Sequence, residues 1–579
     1  MYLENCPSQN SPITFTDEPK NTYSLCVSAT LAVALLTPLA MAQIIIPPGS
    51  DAGALQQRRI DEEQRRLEIE RLKRNPVTDP LRRDAPPAPA PIAPASVTFR
   101  VNEIRFTPSD IFTESDLRIM VQGYENRVST FADLQRVVDH VNAEYRRRGV
   151  ATAQATLPPQ DITTGVILIR LIEGRVGEIR IQGNASTRER YITSRIRLGA
   201  DKLVDLPAFE EDLKLFNRTN DIQLRAELKP GSKTGATDVV LDVIEPPRHA
   251  VRLILDNLGS KSTGRDRAGI AYSNRSLLGY RDEASLSATR ADGLKSYSVS
   301  YGVPVNRLGG RVSLAYYKDY TDIKYGPQAP LEITGESTAA ILTYRQPFYY
   351  GNNVQADYVA AAKRRKSKTW SSDVLLQDTT LSDFNAGLEY QRSDASGAWF
   401  ATYNASIGTA SARTTGLRRD YFAGRGSLRR TQIIGEGWSA LGVFSFQHTS
   451  DDLLPASEQF IIGGHGSVRG FPIGTYAGDN GMTVNAELHH PLGSKGTVAH
   501  PLHLAATGMF FVDFGRVSPY RPPGSVFPNH NAISSAGWGV NYTLGKRVYG
   551  RVIYGYAISG LTPDTSRSTV HFQLVAQLF

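Results

Sequence analysis

The sequence predicts a mainly β chain: a sixteen-stranded antiparallel barrel that spans a membrane, preceded by two small α+β units and an N-terminal helix. Three observations predict it. From Val251 onward short segments alternate apolar with small or polar residues, these segments number about sixteen by the spacing of their turns, and a βααββ order occurs twice ahead of them.

The alternation is explicit. Tyr297, Val299 and Tyr301 oppose Ser296, Ser298 and Ser300, and Trp399, Ala401, Tyr403, Ala405 and Ile407 repeat the pattern. A period of two gives each segment one greasy face and one polar face. A soluble sandwich also alternates, but its inner faces pack dry Val, Ile and Leu, whereas here Tyr, Trp and Phe crowd the segment ends as in aromatic girdles. An even number of tilted strands of about 9–11 residues suits an outer-membrane barrel. The barrel is expected over 248–579, the two units over 97–174 and 175–247.

Composition fits. The chain has 579 residues and a net charge of +8 spread along its length. The densest basic run, Lys363-Arg364-Arg365-Lys366, sits between strand candidates and reads as a solvated loop or barrel rim, so nucleic acid is not an expected partner. No apolar run is long enough for a membrane helix.

The amino end, 1–42, reads as an export leader. Residues 29–36 are an apolar core, Pro38 breaks it, and Ala40-Met41-Ala42 is a small-x-small cleavage pattern. Glu4, Asp17 and Glu18 outweigh Lys20, which favours a start downstream of Met1. Cys6 and Cys26 both fall in this leader, so the mature chain is expected to hold no disulfide and no cysteine site.

Residues 43–75 contain a helix with i, i+4 pairs such as Arg58 with Glu62 and Asp61 with Arg65. It is polar nearly all round. Such a helix lies in solvent, in a charged coiled coil or in a water-filled lumen. A stiff linker rich in Pro and Ala follows over 76–96.

The two βααββ units resemble POTRA (polypeptide-transport-associated) domains. Tyr145-Arg146-Arg147-Arg148-Gly149, Leu157-Pro158-Pro159-Gln160-Asp161 and the segment 165–174 are similar to the first such domain of the haemolysin and filamentous-haemagglutinin transporters. These are the outer-membrane partners of two-partner secretion systems. The resemblance covers nearly the whole mature chain: helix, possible lumen plug, linker, two units and sixteen strands in order. It implies that Tyr145, Gly149, Leu157, Pro158, Pro159 and Gln160 belong to a client-binding region.

Two further motifs carry the resemblance. The connection 449–481 is too long for a hairpin and contains Val468-Arg469-Gly470-Phe471, similar to the tetrapeptide at the tip of the loop that folds into such barrels. Phe511-Val512-Asp513-Phe514-Gly515 resembles the family's inner-wall motif. Period two turns Phe511 and Asp513 inward, so Arg469 can meet Asp513 in the lumen. A guanidinium fork matched to a carboxylate would fix the loop at one point, and the glycines would let the tip turn.

Other chemistry is not indicated. The glycine cluster fails a dinucleotide fingerprint, because Arg469 takes the third glycine position after Gly464 and Gly466. His489 and His490 adjoin on a strand and point oppositely, which argues against a shared metal. No enzyme, cofactor or metal site is expected.

The function implied is export of an unfolded exoprotein of adhesin or haemolysin class: the units would bind it in the periplasm, the barrel would pass it through the outer-membrane lipid, and the barrel-assembly machinery would serve biogenesis. Phe572, Leu574, Ala576 and Leu578 with terminal Phe579 resemble the signal that this machinery reads. The alternatives are an assembly insertase of the same superfamily and a passive porin.

Overall fold

The computed structural model describes residues 51–72, 81–83 and 98–578, with breaks at 151–152, 200–201, 204, 233–235, 352, 451–452, 494–503, 520–529, 546 and 562–565. The expected leader, most of the linker and Phe579 lie outside the described residues.

Helix α1 (Ala52–Leu72) and a short strand β1 (Leu81–Arg83) come first. The first unit contains β2 (Thr98–Val101), β3 (Glu103–Phe106), α2 (Glu114–Val121), β4 (Arg127–Thr130), α3 (Phe131–Arg147), β5 (Gln154–Thr156) and β6 (Val166–Ile172). Thr113 and Thr130 start α2 and α3 with capping boxes completed by Asp116 and Asp133. Hydrogen bonds from Thr130 hold the Asp133 carboxyl below the usual carboxylate range. The apolar stripe of α3, with Val137, Val138, Val141 and Tyr145, packs on Ile167 and Ile169 of β6. The expected first strand is broken in two, β2 pairing with β4 and β3 with β6. At Asn102 the backbone N–H donates to the Gly165 carbonyl at 2.7 Å and the side-chain amide to the Thr164 carbonyl at 3.1 Å, which fixes the break.

The second unit contains β7 (Arg175–Gln182), α4 (Glu189–Thr193), α5 (Leu206–Thr219), β8 (Gln223–Pro230) and β9 (Ala236–Ile244). Phe209, Leu213 and Phe216 of α5 seal it against Leu224 and Leu241. Its sheet runs β1-β8-β9-β7, so three linker residues add a parallel strand to the edge of β8, Leu81 lying opposite Ala226. Leu81 is buried in the core of this unit.

The barrel follows. Its strands are β10 (His249–Asp256), β11 (Arg267–Asn274), β12 (Glu283–Ala291), β13 (Leu294–Pro304), β14 (Arg311–Asp322), β15 (Ile333–Tyr350), β16 (Val354–Ser371), β17 (Val374–Asp394), β18 (Gly397–Ala412), β19 (Leu417–Gly435) and β20 (Trp438–His448). Two short strands, β21 (Phe460–Ile462) and β22 (Tyr476–Gly478), pair within the long connection. The wall resumes with β23 (Asn480–Leu492), β24 (Leu504–Ser518), β25 (Asn531–Leu544), β26 (Val548–Ser559) and β27 (Ser568–Gln577). Sixteen antiparallel strands close where β27 meets β10, Leu253 lying opposite Ala576. Closure removes every edge, which hydrocarbon requires because it offers backbone groups no partner.

Expected strand lengths of about 9–11 residues hold for part of the wall, but β17 runs to 21 residues and β19 to 19. The excess extends the middle strands beyond the apolar band, where polar residues take over. The second unit marks the opposite, periplasmic end: the Arg188 N–H donates to the Gly279 carbonyl at 2.9 Å and the Arg218 guanidinium to the Val354 carbonyl at 3.0 Å. Arg281, fully buried in this joint, pairs with Asp221.

One expectation is overturned. Lys363-Arg364-Arg365-Lys366 is not a loop, because all four residues lie within β16 and are paired on both sides, and only half of it is exposed. Period two divides them: Lys363 and Arg365 are buried inward, while Arg364 and Lys366 are exposed outward.

Candidate functional site

The connection between β20 and β23 folds into the barrel, and Arg469 at its tip is pinned there. Its Nε and Nη2 donate to the two oxygens of Asp513 at 2.8 and 2.6 Å, and its own N–H adds a third bond to that carboxylate at 3.0 Å. Nη1 reaches Glu487 Oε1 at 2.5 Å, and the guanidinium carbon stands 3.7 Å from the centre of the Phe511 ring. His571 Nε2 lies 2.8 Å from the Arg469 carbonyl. The side chain thus meets two carboxylates and one aromatic face in a place where Asp513 is 0 % exposed.

Desolvating such charges is costly, and only full pairing offsets it. The pairing is full. Asn485 Nδ2 donates to Asp513 Oδ1 at 2.8 Å and also to the Ser467 carbonyl, so the wall grips the backbone of the loop beside its charge.

Neighbouring motif residues have equally concrete roles. Val468 and Phe471 are 0 % exposed, packed with Ile462, Val517 and Ile533. A side chain at Gly515 would meet Val468 Cγ2 at 2.9 Å, and one at Gly470 would meet Ser535 Cβ at 2.7 Å. Glycine at both positions lets the loop lie flat on the wall. The tip turns at Gly463 and Gly464, whose φ values of 100° and 97° suit glycine.

Lower in the loop, Glu458 forms a second anchor that the sequence reading missed. Lys363 Nζ reaches it at 2.8 Å, Arg365 Nη1 at 3.3 Å and Arg425 Nη2 at 3.0 Å. The signal was present in the period of β16, which turns every second residue of the basic run inward. Glu487 and Asn485 were likewise legible as inward positions of β23, opposite Phe511 and Asp513.

Helix α1 occupies the lumen beside the loop. Arg59 pairs with Asp319 at 2.8 Å, Glu62 with Arg267 at 3.3 Å, and Glu70 with Arg252. Gln56 donates to the Ser337 carbonyl at 2.9 Å. Of the three settings open to a helix polar all round, the structure selects the lumen, whose wall supplies matching charges. Arg365 touches both elements, meeting Glu458 of the loop and Gln56 and Gln57 of the helix. The space left beside α1 and the loop is a cavity of about 780 Å³.

The six residues expected to bind a client divide differently. Tyr145 is 0 % exposed, its ring 4.5 Å from Phe112 and its hydroxyl on Glu173 at 3.0 Å, so it offers no surface. Gly149, with φ of 80°, ends α3 against Pro207 of the second unit. Leu157 and Pro158 are half-buried and Pro159 is exposed. Gln160 binds both backbone groups of Leu168 on β6, at 2.9 and 2.6 Å, and so occupies part of that strand's edge. His489 stands 2.8 Å from Glu487, and among the described residues no cluster of metal-ligating side chains occurs.

A closed barrel with a helix in its lumen, an inward-pinned loop and two periplasmic βααββ units defines a POTRA-barrel transporter of the outer membrane. Residues 99–174 match the POTRA domain of ShlB type, and 235–542 match the family described as haemolysin secretion/activation protein ShlB/FhaC/HecB. The chain belongs to that family, the outer-membrane transporters of two-partner secretion. It is 24% identical over 489 residues to the outer membrane transporter CdiB of Dickeya dadantii, covering 81% of this chain and 85% of that protein. It is also 24% identical over 447 residues to the heme/hemopexin transporter protein HuxB of Haemophilus influenzae, covering 70% and 73% of the two. The solved structure of CdiB from Escherichia coli superposes with a TM-score of 0.62 at 21% identity, covering 93% of this chain and all of that one.

Proposed function

We propose that this transporter captures one unfolded exoprotein in the periplasm through its POTRA units and threads it to the cell surface past a displaced α1. The observation that carries this reading is the lumen itself: α1 is held to a charged wall by ion pairs and hydrogen bonds, with one small apolar contact where Ile60 meets Tyr317, Ala339 and Ile341, so it can leave as a separate body without unpacking a large core. A haem- or haemopexin-related protein or a haemolysin would be the client class by analogy with the names of a relative and of the family. Threading by main-chain contacts suits many sequences, which fits a passive channel for extended chain.

Client entry is by strand addition to a POTRA sheet edge. The β8 edge already accepts β1 in this way, which supports the reading because the same edge accepts a short extended segment of foreign register. Leu157, Pro158, Pro159 and Gln160 would form the neighbouring surface on the first unit, with Tyr145 and Gly149 holding its shape. Arg469, Val468, Gly470 and Phe471 would keep the loop seated on Phe511, Asp513 and Gly515 so that the bore stays shaped for transport. The test is Arg469→Ala in the producing cell. Leaving Asp513 and Glu487 buried without their partner costs about 3–5 kcal/mol of loop anchoring, so the client should vanish from the supernatant while the barrel remains heat-modifiable in the outer membrane. Undiminished secretion would refute the role.

A further inference from the structure

The outward half of the basic run in β16 is a site that export does not use. Across β14 to β19 the strand register aligns the outer-wall residues in rows. One row is wholly apolar: Leu314, Leu342, Ala362, Phe384, Ile407 and Phe422. Two residues further from the periplasmic end of β16 stands Arg364, between Ala340 and Ser382. The row beyond is wholly polar: Lys318, Thr338, Lys366, Thr380, Ser411 and Arg418. The apolar band therefore ends at Arg364. This end of the wall is the outer leaflet, because the second POTRA unit binds the other end of β16 at Val354.

The cations at that boundary are unevenly satisfied. Lys318 pairs with Glu336 at 3.1 Å, and Lys368 stands 4.0 Å from Asp378. Arg364, Lys366 and Arg418 have no carboxylate within 4.0 Å among the described residues, and all three are exposed. Successive side chains on one face of a strand stand about 6.7 Å apart, so Arg364 and Lys366 form a pair of adjacent donors on one strand. Long basic side chains at the edge of hydrocarbon extend toward headgroups, and a guanidinium beside an ammonium suits phosphate oxygens. An anionic partner reaching that row from the lipid side is a headgroup of the leaflet itself.

We infer that Arg364 and Lys366, with Arg418 three strands along the same polar row, form a binding site on the outer wall for a phosphorylated glycolipid of the outer leaflet, its acyl chains lying on the Phe384 and Ile407 row. This rests on the outer-membrane location and is independent of the export mechanism. The full chain, embedded in phosphatidylcholine nanodiscs, is titrated with bisphosphorylated lipid A. Arg364→Ser with Lys366→Ser should weaken binding about tenfold or more, whereas Arg364→Lys with Lys366→Arg should retain it, both variants keeping the heat-dependent gel shift of a folded barrel. Dephosphorylated lipid A should bind the wild type as weakly as the serine pair binds the phosphorylated form. Equal affinity of wild type and serine pair, equal affinity for the dephosphorylated lipid, or binding of inorganic phosphate without the lipid would each overturn the site.

Discussion

At the scale of single residues, glycine does as much as arginine. Gly515 faces the lumen with Val468 of the loop resting where a side chain would be, and Gly555 meets the Arg469 carbonyl in the same manner. Gly515→Val should unseat the loop tip while leaving every charge of the anchor in place. Labelling of a cysteine placed at Ser467 by a thiol reagent would report it, with reactivity in the variant rising several-fold over the parent; unchanged labelling would show that the wall yields instead. Asp513 was legible as an inward residue because a period-two strand fixes which side chain faces the lumen, whereas Arg469, in the loop, was legible through the resemblance of its tetrapeptide to the family's loop tip. The third and fourth partners, Glu487 and His571, obey the same rule, but nothing in one strand says which inward residue of another lies across from it. Register carries that information, and register is a property of the closed sheet.

At the scale of elements, the sequence shows each strand of the wall and hides the short pieces. Strands β1 and β4 have three and four residues, too few for a period to be visible, and each exists because a neighbouring edge was open. Helix α1 was legible as a polar helix with i, i+4 pairs, yet its location required a charged wall around it. Arg365 bridges the two lumen elements, which also touch directly where Arg65 reaches the Gly466 carbonyl, so Arg365→Ala should loosen both at once. In planar bilayers the variant should show more frequent open events than the parent, approaching the behaviour of a chain lacking 52–72. If its conductance trace matched the parent's, α1 and the loop would be held independently, by Arg59 and Arg267 on one side and Lys363 on the other.

At the scale of the whole molecule, the lumen helix and the proposed capture edge are joined by one short stretch of chain. Eight residues, 73–80, connect α1 in the lumen to β1 on the edge of β8, and β1 occupies the strand-addition edge of the second POTRA unit. A client adding to that edge must displace β1. The connection is short, since extended chain spans at most about 3.6 Å per residue, so on the proposed function freeing β1 would lengthen the reach of α1 and link client arrival to channel opening. The link can be locked. Leu81 and Ala226 lie opposite one another with both side chains on the buried face, so Leu81→Cys with Ala226→Cys, in a chain whose only other cysteines are Cys6 and Cys26, should crosslink β1 to β8 under oxidising conditions. Secretion should fall to background in the oxidised cells and recover on adding a membrane-permeant reductant, with each single variant secreting normally throughout. Were the crosslink to form quantitatively and the client still reach the medium at the parental rate, β8 would not be the entry edge, and capture would have to proceed on the first unit beside Leu157 and Pro159.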